Sequence, residues 1–294
     1  MTNNFVAEKQ GYSKHKLSKE DYAAKKMAEK SEVYKMIDDT INHIIDSPTS
    51  FKEYLDTQSR VDRYSAVNGL LIYNQKPNAT QLKDFTDWSK EGVKINKGEK
   101  SISILEPVEY VKKDGTNGVS YNVKKVFDVS QTNSNRFRSN NLNCDMEKLI
   151  KIMLDTSPVP NLLVDDLKSP QMAAYFDDEK QTLFVKNGVG NPTFVAQAVA
   201  QELAHAYLSM NNDNYSRKDM GFNAVCASYM ICKKFGVDVK DFNFYGIPNE
   251  LKNKDTKEIR SELSKIKNVA SEINSHISEQ LYKEKQERSK EYER

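Results

Sequence analysis

The chain is poor in cysteine, and the three it has, Cys144, Cys226 and Cys232, are an odd number without the paired spacing of a metal finger. Cys226 and Cys232 fall in an apolar helical pattern, so the expectation is buried, reduced thiols and no disulfide framework. Long apolar runs are also missing. No stretch approaches the roughly 18 apolar residues of a membrane-spanning helix. The opening segment, MTNNFVAEKQGYSKHKLSKE, lacks the hydrophobic centre of a secretory signal. A cytoplasmic protein with no membrane partner is expected. An excess of one charge is absent too, since the formal net charge is +2. A value that small does not by itself point to nucleic acid, although the first 140 residues are mildly basic and the remainder mildly acidic.

What is present is 294 residues, enough for about two domains. Residues 1–30 are rich in Lys, Ser and Asn and read as a mobile polar arm, although Asp21 to Lys30 has helical potential. From Glu32, the residues Val33, Met36, Ile37, Ile41, Ile44 and Ile45 recur at three- and four-residue intervals, one helix face that ends at Ser47-Pro48. A second helix is expected from near Ser50, a third from about Val61 to Asn74, and a short one holding Leu82, Phe85 and Trp88. At Gly92 the period changes to alternation. Ile102, Ile104, Val108 and Tyr110 lead into KKDGTNGV, a hairpin turn by composition, and then into Tyr121, Val123, Val126 and Val129.

The polar stretch SQTNSNRFRSNNLNCD, residues 130–145, lacks periodicity and reads as a linker. Beyond it the pattern predicts a helix at 146–154, a strand at 162–164, and a hairpin with arms at 172–176 and 182–185. Helices are then expected at 193–210 and 218–235. From Asp255 a charged helix carries the narrow stripe Ile259, Leu263, Ile266, Val269, Ile273 and Ile277, whose first part should pack on the core while the last part frays.

One helix carries a recognisable chemical pattern. In PTFVAQAVAQELAHAYLSM, Gln201, Glu202 and His205 stand where a gluzincin-like peptidase has His, Glu and His. Two imidazoles one turn apart hold zinc on one helix face, and the intervening Glu activates the bound water. Here the first position is an amide, a poorer zinc ligand than imidazole. The next helix, MGFNAVCASYMICKKFG, has no Asp or Glu at Asn223 to Val225, where a third ligand is expected. Glu202 therefore reads as a vestigial catalytic residue, and His205 and Gln201 as vestigial metal residues with no cofactor bound. Zinc would require an atypical set drawing on Asp213 or Asp219. The plainer alternative is a polar pair, Glu202 and His205, in a helix packed by Val195, Val199 and Leu203.

Two blocks of sequence resemble a known family. YSAVNGLLIYNQKPNATQLKDFTDWSKEGVKINKGEKSISILEPVEY with the later KVFDVSQT, then QELAHA, ASYMICKKFGVDV and DFNFYGIP, resemble the ArdC-type antirestriction proteins of plasmids and conjugative elements. The resemblance implies an N-terminal domain that binds single-stranded DNA and a C-terminal zincin-like metallopeptidase domain. The chain departs from it at Gln201 and near Asn223 to Val225. The expected fold class is α+β: N-terminal helices followed by a small antiparallel sheet, then a zincin-like α+β domain with a mostly helical C-terminus. The expected division is a mobile arm at 1–30, a DNA-binding domain at 31–132, a linker at 133–145, a degenerate metallopeptidase domain at 146–254 and a charged helix at 255–294.

Single-stranded DNA is held by aromatic rings that stack on bases beside cations that follow the phosphates. Arg63, Tyr73, Lys76, Trp88, Lys90, Lys94, Lys97 and Lys100 are the candidates, densest in KEGVKINKGEK. Their plainer reading is core for the rings and a solvated face for the lysines. Three functions follow. The first is a single-stranded-DNA-binding, antirestriction-like protein whose peptidase-like half is an inactive scaffold or a surface for a restriction or conjugation protein. The others are an active zinc peptidase with atypical ligands and a pure interaction module using the Ile259 to Ile277 stripe.

Overall fold

A computed structural model of the chain describes residues 18–134 and 144–292, apart from 211, 241, 243 and 245. The first helix, α1 (Lys19–Asp46), starts well before its apolar pattern does. The Ser18 hydroxyl accepts from the Asp21 N–H at 3.0 Å, a side-chain cap that satisfies one of the free donors of the first turn. Glu29 then pairs with Lys26 at 3.1 Å and with Lys125 at 2.8 Å. Residues 19–30 are helical, as the helical potential of Asp21 to Lys30 allows; residues 1–17 lie outside the described residues. Pro48 opens α2 (Pro48–Arg60), where a missing N–H costs nothing, and the Ser47 hydroxyl caps the same end.

The third helix, α3 (Ala66–Gln75), begins five residues later than its apolar pattern suggests, because Val61 closes α2 and Ser65 caps the new helix. Leu82 belongs to a two-residue strand, β1 (Leu82–Lys83), and not to the short helix α4 (Phe85–Lys90). Asp84 between them accepts the Asp87 N–H at 2.8 Å and sets the boundary. Strands β2 (Ile102–Val111) and β3 (Asn117–Asp128) form the expected hairpin, in register from Ile102 opposite Val126 to Val111 opposite Asn117. Gly115 turns it with φ of 82°. Strand β3 is central in the order β1-β3-β2 and runs into a single 3-10 turn, Val129–Gln131.

The second half opens with α5 (Met146–Asp155), followed by β4 (Asn161–Val164), β5 (Ala174–Asp177) and β6 (Thr182–Lys186). Their order is β4-β6-β5, with β4 parallel and β5 antiparallel to β6, so β5 is an edge strand. Helices α6 (Pro192–Met210), α7 (Arg217–Phe235), the short α8 (Asn249–Lys252) and α9 (Thr256–Tyr292) complete a mixed α+β architecture that ends in helix, as the sequence suggests.

Ile37, Ile41 and Ile44 of α1, Phe51 of α2 and Leu70 of α3 share one continuous core with Val199 of α6, Cys226 of α7 and Ile266 of α9. All six stripe residues of α9 are buried in it, each worth about 1.5–3 kcal/mol of transfer free energy before entropy is counted. Helices α2 and α7 are also joined by polar contacts, with Tyr229 donating to Asp56 at 2.7 Å and Lys233 pairing with Asp56 at 2.9 Å. A smaller core of Val61, Ile72, Leu82, Ile102, Ile104 and Val126 lies beneath the first sheet. Cys226 and Cys232 are buried free thiols, as expected, and Cys144 is half-buried near the start of α5. Among the described residues no helix is long and apolar enough to cross a membrane.

Candidate functional site

Glu202 lies midway along α6 and is buried. A buried carboxylate must be paired and hydrogen-bonded, and this one is. The Phe176 N–H donates to Oε2 at 2.7 Å, and Arg217 donates from Nη2 to Oε2 at 2.5 Å and from Nη1 to Oε1 at 3.1 Å. The same Nη2 donates to the Phe176 carbonyl at 2.8 Å, and the guanidinium lies over the Tyr175 ring, 4.7 Å from its centroid. Arg217 is the first residue of α7, placed there by the Ser216 cap. Sequence reasoning did not find it: a lone arginine fifteen residues beyond Glu202 belongs to no motif.

His205, one turn further along α6, is also buried. Its Nδ1 is 2.8 Å from the Tyr215 hydroxyl. Burial, and secondarily the Arg217 charge, push its pKa down to about 3, while burial pushes Tyr215 up to about 12. The imidazole is therefore neutral near pH 7. Asn223, where a third ligand was sought, donates to Glu262 of α9 at 3.1 Å, and Glu262 also pairs with Lys254 at 2.7 Å and Lys265 at 3.2 Å.

Gln201 and Glu202 line an open cleft of about 860 Å³ together with Phe194, Gly221, Val225 and Phe244. His205 is not part of that lining. Asp213 and Asp219 are exposed, and among the described residues no group of three or more His, Cys, Asp or Glu is gathered as a metal would need. A neutral amide, one imidazole and a carboxylate already held by a guanidinium do not fit a divalent metal, which takes several donors free to face it and is repelled by the adjacent positive charge.

In the N-terminal half the structure corrects two candidates for base stacking. Trp88 is 2% exposed and donates from Nε1 to the Phe127 carbonyl at 2.9 Å, with Lys83 over its ring at 4.9 Å. Tyr73 is 7% exposed and donates to Glu53 at 3.2 Å. Both fall on the inner faces of their helices, where packing claims the largest rings first. Among the described residues of this half the exposed rings are instead Tyr22 on α1 at 57%, Phe85 at 65%, Tyr110 at 48% and Tyr121 at 42%.

The cations fare differently. Arg63, Lys90, Lys94, Lys97 and Lys100 are exposed and Lys76 is half-buried. Lys90 pairs with Asp87 at 3.0 Å, whereas no ion pair engages Arg63, Lys94, Lys97 or Lys100 among the described residues. The loop that carries the three lysines is tied down by the VFDVSQT segment. The Asn96 N–H donates to the Gln131 carbonyl at 2.9 Å, Gln131 donates from Nε2 to the Lys100 carbonyl at 2.7 Å, and Lys94 and Asn133 exchange two bonds of 2.9 Å. Asp128 anchors that segment in turn, accepting the Thr80 and Gln81 N–H groups at 2.7 and 2.9 Å. Gly98, with φ of 90°, makes the turn that no side chain favours. Lys76, Gly98 and Lys100 rim a hollow of about 470 Å³.

No family model matches the chain. An uncharacterised Bacillus anthracis protein, pXO2-81, is 24% identical over 317 aligned residues, which cover 89% of this chain and 54% of that protein. The chain thus spans about half the length of this curated relative. The crystal structure of the antirestriction protein ArdC from plasmid R388 in its Mn(II)-bound form is similar with a TM-score of 0.55 and 13% identity, covering 83% of this chain and 97% of that one. Its metal-free form has a TM-score of 0.49 over 83% and 96% of the two chains. As the motifs of the sequence indicated, the chain resembles the ArdC-type antirestriction proteins and has their fold.

Proposed function

We propose that the chain is a single-stranded-DNA-binding protein with a plasmid-associated, antirestriction role, in which the N-terminal half grips the strand and the peptidase-like half is a scaffold without hydrolytic action. The observation that carries this reading is the lysine loop. Lys94, Lys97 and Lys100 are exposed, without ion pairs among the described residues, and set on a backbone pinned by Gln131 and Asn133. Cations held on a fixed frame lose little entropy when they meet phosphates. Rings exposed beside the sheet that could stack on bases include Phe85, Tyr110 and Tyr121, each base contact being worth about 1–3 kcal/mol.

The reading of the second half rests on chemistry. A general base needs an open carboxylate beside an activated water, and both oxygens of Glu202 are engaged by Arg217 and the Phe176 N–H.

The test is binding of the full chain to a labelled single-stranded oligonucleotide over a salt series. Replacing Lys94, Lys97 and Lys100 together by Ala should weaken binding and reduce the slope of log K against log salt by about 2, at roughly 0.7 per phosphate contact. An unchanged slope would remove the loop from the interface.

A further inference from the structure

We propose that Arg217 holds Glu202 in a structural role, and that the Glu202–Arg217 pair seals the outer edge of β5 at Phe176 in the manner of a neighbouring strand. The inference rests on the reading of the C-terminal half as a scaffold without a metal, and adds what the former catalytic carboxylate now does.

Among the described residues strand β5 is bonded to a strand on one side only, to β6. Phe176 stands opposite Leu183, and the Leu183 N–H donates the other way, to the Pro160 carbonyl at 2.9 Å. Facing residues of an antiparallel pair either exchange both bonds or neither. The N–H and C=O of Phe176 therefore point away from β6, at the open edge of the sheet, where an unpaired donor and acceptor invite another chain. Both are occupied here. Glu202 accepts from the N–H at 2.7 Å and Arg217 donates to the C=O at 2.8 Å. A carboxylate and a guanidinium bridged to each other present one acceptor and one donor, the complement that a residue of an added strand would offer.

The placement of Arg217 supports a dedicated role. A cation on the first residue of a helix opposes the helix dipole, and partial burial opposes its charge as well. Glu202 offsets both, and the Tyr175 ring supports the guanidinium plane. Activation of a water by Glu202 would require the opposite arrangement, with the carboxylate released from Arg217 and from the Phe176 N–H.

Amide hydrogen exchange on the full chain, read at Phe176 with and without added zinc or manganese, tests the proposal. The expected result is an amide slowed about a hundredfold or more against an open one, with neither metal ion nor EDTA changing the melting temperature. Arg217→Met should lower that temperature by about 5–10 °C, as the loss of one partner of a buried pair does. Glu202→Gln added to Arg217→Met should recover part of the loss, since Gln still accepts the Phe176 N–H without a charge. A Phe176 amide that exchanges as fast as an exposed one overturns the seal and leaves the scaffold reading intact. One zinc bound per chain with a raised melting temperature, and a hydrolysis lost in Glu202→Gln, overturns both. The exchange measurement on the unmodified chain decides the matter even where a variant does not fold.

Discussion

Nη2 of Arg217 donates to Oε2 of Glu202 at 2.5 Å and so ties the first residue of α7 to the middle of α6. The residue that a peptidase would use to activate water is the residue this chain uses to hold two helices and a strand together.

Acid should weaken the fold through His205. Its folded pKa lies near 3, below the ordinary value of 6.5, because it is buried. Below about pH 6.5 the unfolded chain takes up a proton that the folded chain does not, so stability is lost as pH falls through the window from 6.5 toward 3. The slope from this group approaches about 1.4 kcal/mol per pH unit. Urea unfolding at several pH values between 7 and 5 should show it, and His205→Gln should flatten it. Equal slopes in the two proteins would mean that His205 is not held neutral.

Leu263→Ala, in the buried stripe of α9, should cost about 2–5 kcal/mol in chemical denaturation. Tyr282→Ala, exposed further along the same helix, should cost under about 0.5 kcal/mol. Comparable losses at the two positions would show that the helix is not seated along its stripe. Because the stripe is occupied by its own core, it offers no apolar face for a partner helix, which removes the basis for reading the chain as an interaction module through that surface.

Trp88 should report on the fold and not on DNA. It is the only tryptophan and is buried, bonded to the Phe127 carbonyl of β3, so its fluorescence should be blue-shifted and little quenched by an oligonucleotide. Strong quenching on binding would show that the ring reaches the strand. Tyr121→Ala, at an exposed ring of β3, should weaken binding by about 1–3 kcal/mol if that ring stacks on a base. No change would remove Tyr121 from the interface.

Gln131→Ala should weaken DNA binding without removing a single cation. It deletes the bonds to the Lys100 carbonyl and to Glu99, at 2.7 and 3.0 Å, and so loosens the frame that presents the lysines. Equal affinity in that variant would show that the frame does not matter.

Most of the fold was legible because apolar spacing is a direct record of burial. The α1 face, the β2–β3 hairpin around Asp114-Gly115 and the α9 stripe all stand where the pattern placed them. Boundaries were less legible where short polar side chains decide: Asp84 separates β1 from α4, and Ser18 with Glu29 carries α1 outward over residues without an apolar pattern. Chemical residue types were legible in the same uneven way. Gln201 announced a missing imidazole, but nothing local announced Arg217, whose role depends on a partner brought close only by folding. Spacing alone does not place Trp88 and Tyr73, because an aromatic ring serves core and ligand equally well and only their burial separates the two uses. The pairing of the KINKGEK and VFDVSQT strings in the sequence has a physical reason in the bonds from Gln131 and Asn133 to the lysine loop.

The central claim is tested most directly by competition between a single-stranded oligonucleotide and a duplex of the same length for the full chain at two salt concentrations. The account predicts preference for the single strand, weakening as salt rises and largely lost when Lys94, Lys97 and Lys100 become Ala. Equal affinity for both forms, or no binding at low salt, would contradict it.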